Sequence, residues 1–278
     1  MGTSQSSKGS PSGIPMVPPW VPNVGSDDSS GGNDAQNDES QPDQNENQSD
    51  QDRNDIAPPS RFGATRRNLN SFSKHGDSSA MKRAVGQYFQ RGYGGGKTAL
   101  KRFGGTISTG GALYSALSSV KSGEAYYGFD PLKLSSNSPQ EIVDKLIEVI
   151  RPIDGTLDAE ASRNAIQTAC SELLTKDENI DLLNLSEENC LFITERFVSD
   201  DIFRRFELDL GKDIRKNAPT PSAEIGRLRE IKSYITQVVS QSFKGIKDTN
   251  IKISETNIRS IVRTALEQSI FVFEEYIK

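Results

Sequence analysis

The residues with the most chemical promise lie between positions 91 and 98. Gly94-Gly95-Gly96-Lys97-Thr98 resembles a phosphate loop, in which glycine N–H groups surround phosphate oxygens and a lysine neutralises them. That pattern needs a glycine five residues before the one preceding the lysine, and Arg91 holds that place. No apolar strand leads into the run, and no later strand ends in an aspartate. The expected role is a flexible, positively charged hinge.

Other candidates for chemistry are sparse. His75 is the single histidine; it falls in a polar stretch without Cys or carboxylates at metal-ligand spacing. It is expected to be a solvent-exposed loop residue, and it leaves a Ser-His-Asp arrangement without a second base to choose from. Paired carboxylates occur at Asp200-Asp201 and Glu274-Glu275. Neighbouring acids on helices usually make solvated faces, and nothing singles out a pair for acid–base work. Cys170 and Cys190 fall in helical patterns and read as small core side chains in a reducing cytosol. No catalytic residue, metal site or cofactor is expected.

Binding chemistry is better represented. Ten basic residues lie within 61–105, against the single acid Asp77. Arg61, Arg66, Arg67, Lys82, Arg83, Arg91, Lys101 and Arg102 are the candidate contacts, with Phe62, Phe72, Tyr88, Phe89, Tyr93 and Phe103 interleaved. Cations and aromatic rings suit nucleic-acid backbones and stacked bases. They equally suit an acidic protein surface, which is the favoured partner. Upstream, Pro18-Pro19-Trp20 places a tryptophan between stiff neighbours, a short anchor that loses little entropy on docking. Met1-Gly2-Thr3-Ser4-Gln5-Ser6 fits the myristoylation pattern. One acyl chain holds a membrane only marginally, and the acids that follow oppose anionic lipid. Small Gly2 favours removal of Met1, leaving a free glycine amine.

The charges fall into blocks. Residues 1–60 carry 2 basic and 10 acidic side chains; residues 106–278 carry 21 basic and 27 acidic. Such segregation marks electrostatic interaction surfaces. Hydrophobic residues make up 33% of the chain, below the globular norm of about 45–50%, which counts glycine. The shortfall is concentrated in the first sixty residues. Residues 26–55 are almost wholly Asp, Asn, Gln, Ser, Glu and Gly, a composition that cannot offset chain entropy by apolar burial. No run of about 18 apolar residues occurs, and no charged-then-apolar secretory signal. A cytoplasmic protein without membrane attachment is expected.

Three regions follow: a disordered tail over 1–57, a basic aromatic and glycine-rich segment over 58–134, and an α-helical domain over 135–278. The fold class is all-α, a helical bundle. Short helices fit Ser79–Gln90, Lys97–Phe103 and Thr109–Val120, with breaks at Arg91–Gly96 and Gly104-Gly105. In the C-terminal region, Ser138-Pro139-Gln140-Glu141 reads as an N-cap, a first-turn proline and first-turn acids. Pro152 ends that helix. Further helices fit Asp158–Leu174, a stretch from Ser186 ending near Gly211, Ser222–Phe243 and Ser254–Ile277.

Taken together, Met1-Gly2-Thr3-Ser4, Pro18-Pro19-Trp20, Arg61-Phe62-Gly63, the Tyr88-to-Gly96 stretch, Gly104-Gly105-Thr106 and Gly111-Ala112-Leu113-Tyr114 resemble the B subunit of the bacterial Qat anti-phage defence system. The resemblance is strongest over residues 1–22 and 58–120. It implies a non-catalytic subunit of a multi-protein complex with three partners: an ATPase, a QueC-like enzyme of the deazaguanine-synthesis type and a TatD-like nuclease. It further implies that the QueC-like partner modifies the Gly2 amine, with Thr3 and Ser4 as recognition residues. Pro18, Pro19 and Trp20 would dock beside that partner's site. The alternative is a nucleic-acid-binding accessory protein that uses residues 61–105. A lipid-anchored adaptor is a third and less favoured class.

Overall fold

Ser138 starts a helix for reasons that are all local. Its Oγ accepts from the Glu141 backbone N–H, Glu141 Oε2 accepts from the Ser138 N–H at 2.7 Å, and Pro139 fills the first turn. Both groups satisfy donors that a helix start leaves without partners. The same device recurs with Thr156, Ser186 and Thr220, each accepting from an N–H three residues on.

The computed structural model describes residues 61–248 and 253–277. Among them every regular element is helical: α1 (Gly63–His75), α2 (Ser78–Gln87), a π-helical turn (Tyr88–Gly92), α3 (Gly96–Arg102), α4 (Gly104–Lys121), α5 (Pro131–Leu134), α6 (Pro139–Ile150), α7 (Leu157–Lys176), α8 (Glu187–Asn217), α9 (Pro221–Lys247) and α10 (Ile258–Glu275). The all-α expectation holds for these residues. The expectations for residues 1–57, and with them Gly2, Thr3, Ser4, Pro18, Pro19 and Trp20, lie outside the described residues.

The 31-residue α8, about 46 Å long, is the axis. α7 and α9 lie along it as antiparallel neighbours, α9 after a short loop and α7 before the longer connection over 177–186; α4 and α1 pack on it as well, and α10 closes the assembly against α9, α4 and α2. Segments 61–134 and 135–277 feed one core: Leu69, Phe72, Tyr88, Phe89 and Phe103 are buried with Phe197, Phe206 and Phe273. α4 approaches closely because of its glycines. A Cβ on Gly110 would meet Val262 and Phe197 at 3.3–3.5 Å, and one on Gly111 would meet Arg259 at 3.3 Å.

Several local expectations are corrected. The expected end of α8 near Gly211 lies one and a half turns early. The helix runs on to Asn217 because Ile214 is fully buried, which outweighs the roughly 1 kcal/mol helix cost of a glycine. Gly104-Gly105 opens α4 instead of breaking the chain; the bend sits at Phe103. The polar stretch holding His75 is the last turn of α1, whose Leu69 and Phe72 are core residues. His75 itself is exposed.

Candidate functional site

The basic, aromatic segment is built into the bundle rather than hung from it. After α2 the chain widens into the π-helical turn, with the Tyr93 N–H donating to the Tyr88 carbonyl five residues back at 3.1 Å. Such turns carry an extra residue per turn and often mark functional positions. This one delivers Tyr88 and Tyr93 to the same end of α8, and stacks Phe89 on Phe273 of α10. Gly94 and Gly95 then turn the chain at φ +81° and +83°, a backbone region open to glycine at no steric cost. The Gly-rich run is a tight turn that leads from half-buried Tyr93 into α3.

At this end of α8 the phenols meet a carboxylate. The Tyr93 hydroxyl donates to Asp209 Oδ2 at 2.9 Å, and the Tyr88 hydroxyl lies 3.0 Å from the same oxygen. Burial, then the neighbouring Tyr93 phenol and the Asp209 charge, pushes Tyr88 well above its ordinary value. Burial likewise pushes Tyr93 to about 12. Arg61 covers this group: its guanidinium is 3.7 Å from Asp209 and sits over the rings of Phe62 and Tyr93 at 4.5 and 5.6 Å. Arg102 flanks Tyr93 from another side at 5.9 Å. The arrangement consists of a carboxylate held by two phenols and roofed by guanidinium groups. It can fix the start of the folded unit onto α8 and leave a cationic rim.

The remaining predicted contacts divide in two. Arg66 pairs with Asp213 at 3.0 Å and Arg83 with Asp77 at 3.7 Å, while the Lys82 ammonium lies over Tyr276 at 4.8 Å. These cations serve the fold. Arg67, Arg91 and Lys101 are exposed and have no ion-pair partner among the described residues. Arg91 and Lys101 flank the Gly94-Gly95 turn in sequence; Arg67 is on α1.

The expected solvated pair Asp200-Asp201 is the largest correction. Asp200 and Asp201 are 2% and 0% exposed. Asp201 accepts from Thr106 at 2.5 Å, Ser162 at 2.6 Å and Arg205 Nε at 3.1 Å, tying α4 and α7 to α8. Asp200 holds Arg204 at 2.5 Å and the α9 residue Lys232 at 2.6 Å. Burial lowers the Arg205 pKa, but the Asp201 and Asp158 carboxylates outweigh it and hold the guanidinium above its ordinary value. The partners are cations and hydroxyls of α4, α7, α8 and α9, so the cluster is a four-helix clasp. A buried acid pair needs partners; Arg204 and Arg205 lie one turn away, but the Thr106 and Ser162 hydroxyls are 95 and 39 residues off, and the local pattern does not announce those. Within the other pair, burial raises Glu274.

Cys170 and Cys190 are free and buried, with their thiols raised by burial to about 12 and about 11. No helix among the described residues is long and apolar enough to cross a membrane.

The sequence matches the family model described as "Qat anti-phage system associated protein QatB" over residues 94–273. The matched region runs from the Gly94 turn through α10, further toward the C-terminus than most motifs that carried the resemblance. No curated protein and no solved structure matches the chain.

Proposed function

The chain belongs to the QatB family of Qat anti-phage system associated proteins, and on that premise we propose that it is a non-catalytic assembly subunit whose N-terminal glycine is a modification substrate. The observation that supports the assembly role is the family match, which covers α3 to α10 over residues 94–273. In that unit the best candidates for acid–base chemistry, Asp200, Asp201 and Asp209, are bonded to cations and hydroxyls of their own fold. The helical unit is the part that associates with the ATPase, the QueC-like enzyme and the TatD-like nuclease. The Gly2 amine, exposed by removal of Met1, takes a deazaguanine-type group from the QueC-like partner. An α-amine of pKa about 7.7–8.0 is appreciably neutral at cellular pH and so nucleophilic. Thr3 and Ser4 would be read by that enzyme. Pro18, Pro19 and Trp20 would raise the local concentration of the acceptor by docking nearby.

Intact mass of the protein, purified with and without its neighbouring operon products, tests this. An added mass on the N-terminal peptide that depends on the QueC-like partner is the expected result. The mass of the Met-removed chain in both samples would refute the substrate role.

A second reading, nucleic-acid binding through the basic segment, draws support from the exposed Arg67, Arg91 and Lys101. Neutralising these three leaves the internal pairs of Arg61, Arg66 and Arg83 intact. Loss of DNA binding with an intact complex favours this reading; loss of the complex favours the assembly role.

A further inference from the structure

α9 and α10 run antiparallel, and at their buried seam the Ser269 hydroxyl lies 3.0 Å from the Ser242 hydroxyl. Their outer faces leave a groove. One stretch, a cavity of about 570 Å³, lies between Val238 of α9 and Phe271 and Val272 of α10. The other, of about 250 Å³, lies between Gly245 and Ile246 of α9 and Ile261 of α10. Thr264 and Gln268 line both stretches, so the groove is continuous.

The two ends of the groove differ. At one end Phe271 is 60% exposed on the rim. At the other, Gly245 leaves a hollow: nothing lies within 4 Å of the place its Cβ would take. A glycine inside a helix costs about 1 kcal/mol against alanine, and no close approach within this chain calls for one here. The buried side chains of Ile246 and Ile261 give the hollow an apolar floor. A cavity of about 150 Å³ already takes a benzene ring, so this one has room for a phenyl side chain. Ile261 and Phe271 lie ten positions apart on α10, about 15 Å along its axis. A face with a ring at one end and a hollow that fits a ring at the other is complementary to itself under a two-fold axis. An axis midway, beside Thr264 and Gln268, sets the two α10 helices antiparallel and seats both rings at once.

Charge is arranged in the same sense. The hollow end carries Lys244, Lys247 and Arg263 against Asp248. The ring end carries Glu267, Glu274 and Glu275 against Lys82, whose ammonium lies over the Tyr234 and Tyr276 rings. Antiparallel apposition brings the cationic end of each copy onto the anionic end of the other, whereas parallel apposition would set like on like. The same axis places Arg263 of one copy at nearly the height of Glu267 of the other. The anionic end repels the phosphates of nucleic acid and of lipid.

We propose that the chain forms a symmetric dimer through the α9–α10 face, with Phe271 of each copy seated in the Gly245–Ile261 hollow of the other. This goes beyond the assembly role above and does not depend on it. The contact is one groove wide, of the small class that buries less than about 1,200 Å², so it forms and dissociates with concentration.

Sedimentation velocity of the full chain over a range of concentrations tests this. Wild type should pass from monomer toward dimer as concentration rises. Gly245→Leu fills the hollow and removes a helix-weakening glycine, so it should melt at or above the wild-type temperature while its association weakens about tenfold or more. Phe271→Ser, at an exposed position, should weaken association likewise with little change in melting temperature. Arg263→Glu and Glu267→Arg should each associate poorly alone, and association should return when the two variants are mixed, because only the mixed pair sets opposite charges across the axis. A wild type that stays monomeric up to its solubility limit overturns the proposal. So does a dimer indifferent to Gly245→Leu and Phe271→Ser, or a mixture that shows no rescue. A monomeric wild type whose capture of another protein of its system is lost in Gly245→Leu would also overturn it and give the groove to that protein.

Discussion

Asp201 and Arg205 lie one turn apart on α8 and are joined inside the core, Nε to Oδ2 at 3.1 Å, with the carboxylate fully buried. Along an exposed helix such a pair contributes a few tenths of a kcal/mol. Here the removal of Arg205 leaves a fully buried carboxylate without its guanidinium, and the removal of Asp201 leaves Arg205 with Asp158 as its one carboxylate partner. The pair belongs to the tertiary fold, although its spacing is that of a surface pair.

Asp201→Ala should therefore cost about 3–5 kcal/mol of unfolding free energy, with the Thr106 and Ser162 hydroxyls losing their acceptor as well. Asp201→Leu combined with Arg205→Met should cost less than either single change. Urea denaturation of Asp201→Ala, Asp201→Leu, Arg205→Met and the double variant measures this. A single-variant loss below about 1 kcal/mol would mean that the clasp contributes no more than a surface pair.

Tyr93 sets an alkaline limit. Its folded-state value, raised by burial to about 12, exceeds the ordinary value near 10. Between those values the folded chain keeps a proton that the unfolded chain has lost, so stability falls as pH rises. The contribution is fully present below pH about 10. Tyr93→Phe should flatten the pH dependence of stability in this window by at most about 1.4 kcal/mol per pH unit. Denaturant midpoints from pH 9 to 12 for both proteins decide it; parallel curves would show that Tyr93 titrates alike in both states.

Gly86 should reverse the usual glycine rule. In an exposed helix interior, Gly→Ala stabilises by about 1 kcal/mol. A Cβ on Gly86 of α2 would lie 2.4 Å from the backbone carbonyl oxygen of Phe273 on α10, and a backbone atom cannot rotate away. Gly86→Ala should destabilise by about 1–3 kcal/mol. Gly226, exposed on α9 with nothing within 4 Å, should follow the ordinary rule. Thermal melts of the two variants should shift in opposite directions.

The capping box of α6 should weaken in acid. Hydrogen bonds from the Ser138 backbone N–H and then its hydroxyl hold Glu141 below its ordinary value. A depressed carboxylate contributes stability above its unfolded pKa and loses it as pH falls through the folded one. Glu141→Gln should therefore be less stable than wild type at neutral pH, with the gap closing at pH values below the ordinary carboxylate range. A gap that stays constant into acid would show that the carboxylate charge plays no part.

The sequence was most legible where the controlling interactions are short. Ser138, Thr156, Ser186 and Thr220 each bond within one turn, so residue type and spacing were enough to place or nearly place four helix starts. The apolar stripe of α10, Ile258, Ile261, Val262, Ala265 and Leu266, is buried as its 3.6 period requires. For α1 the signal was weak, since two large apolar side chains in thirteen residues make a narrow stripe beside many polar ones.

Composition, charge blocks, caps and periodicity by themselves determined an all-helical unit with a basic, aromatic entry segment, because these are properties of neighbours along the chain. Tertiary structure alone decided that Asp200 and Asp201 are core residues, that Arg61 and Arg66 are occupied by Asp209 and Asp213, and that α8 passes through Gly211. It also decided that Phe271 and the Gly245 hollow lie at the two ends of one groove. Burial depends on which helix faces the fold brings together, and contacts such as Thr106 to Asp201 and Arg61 to Asp209 join residues distant in sequence.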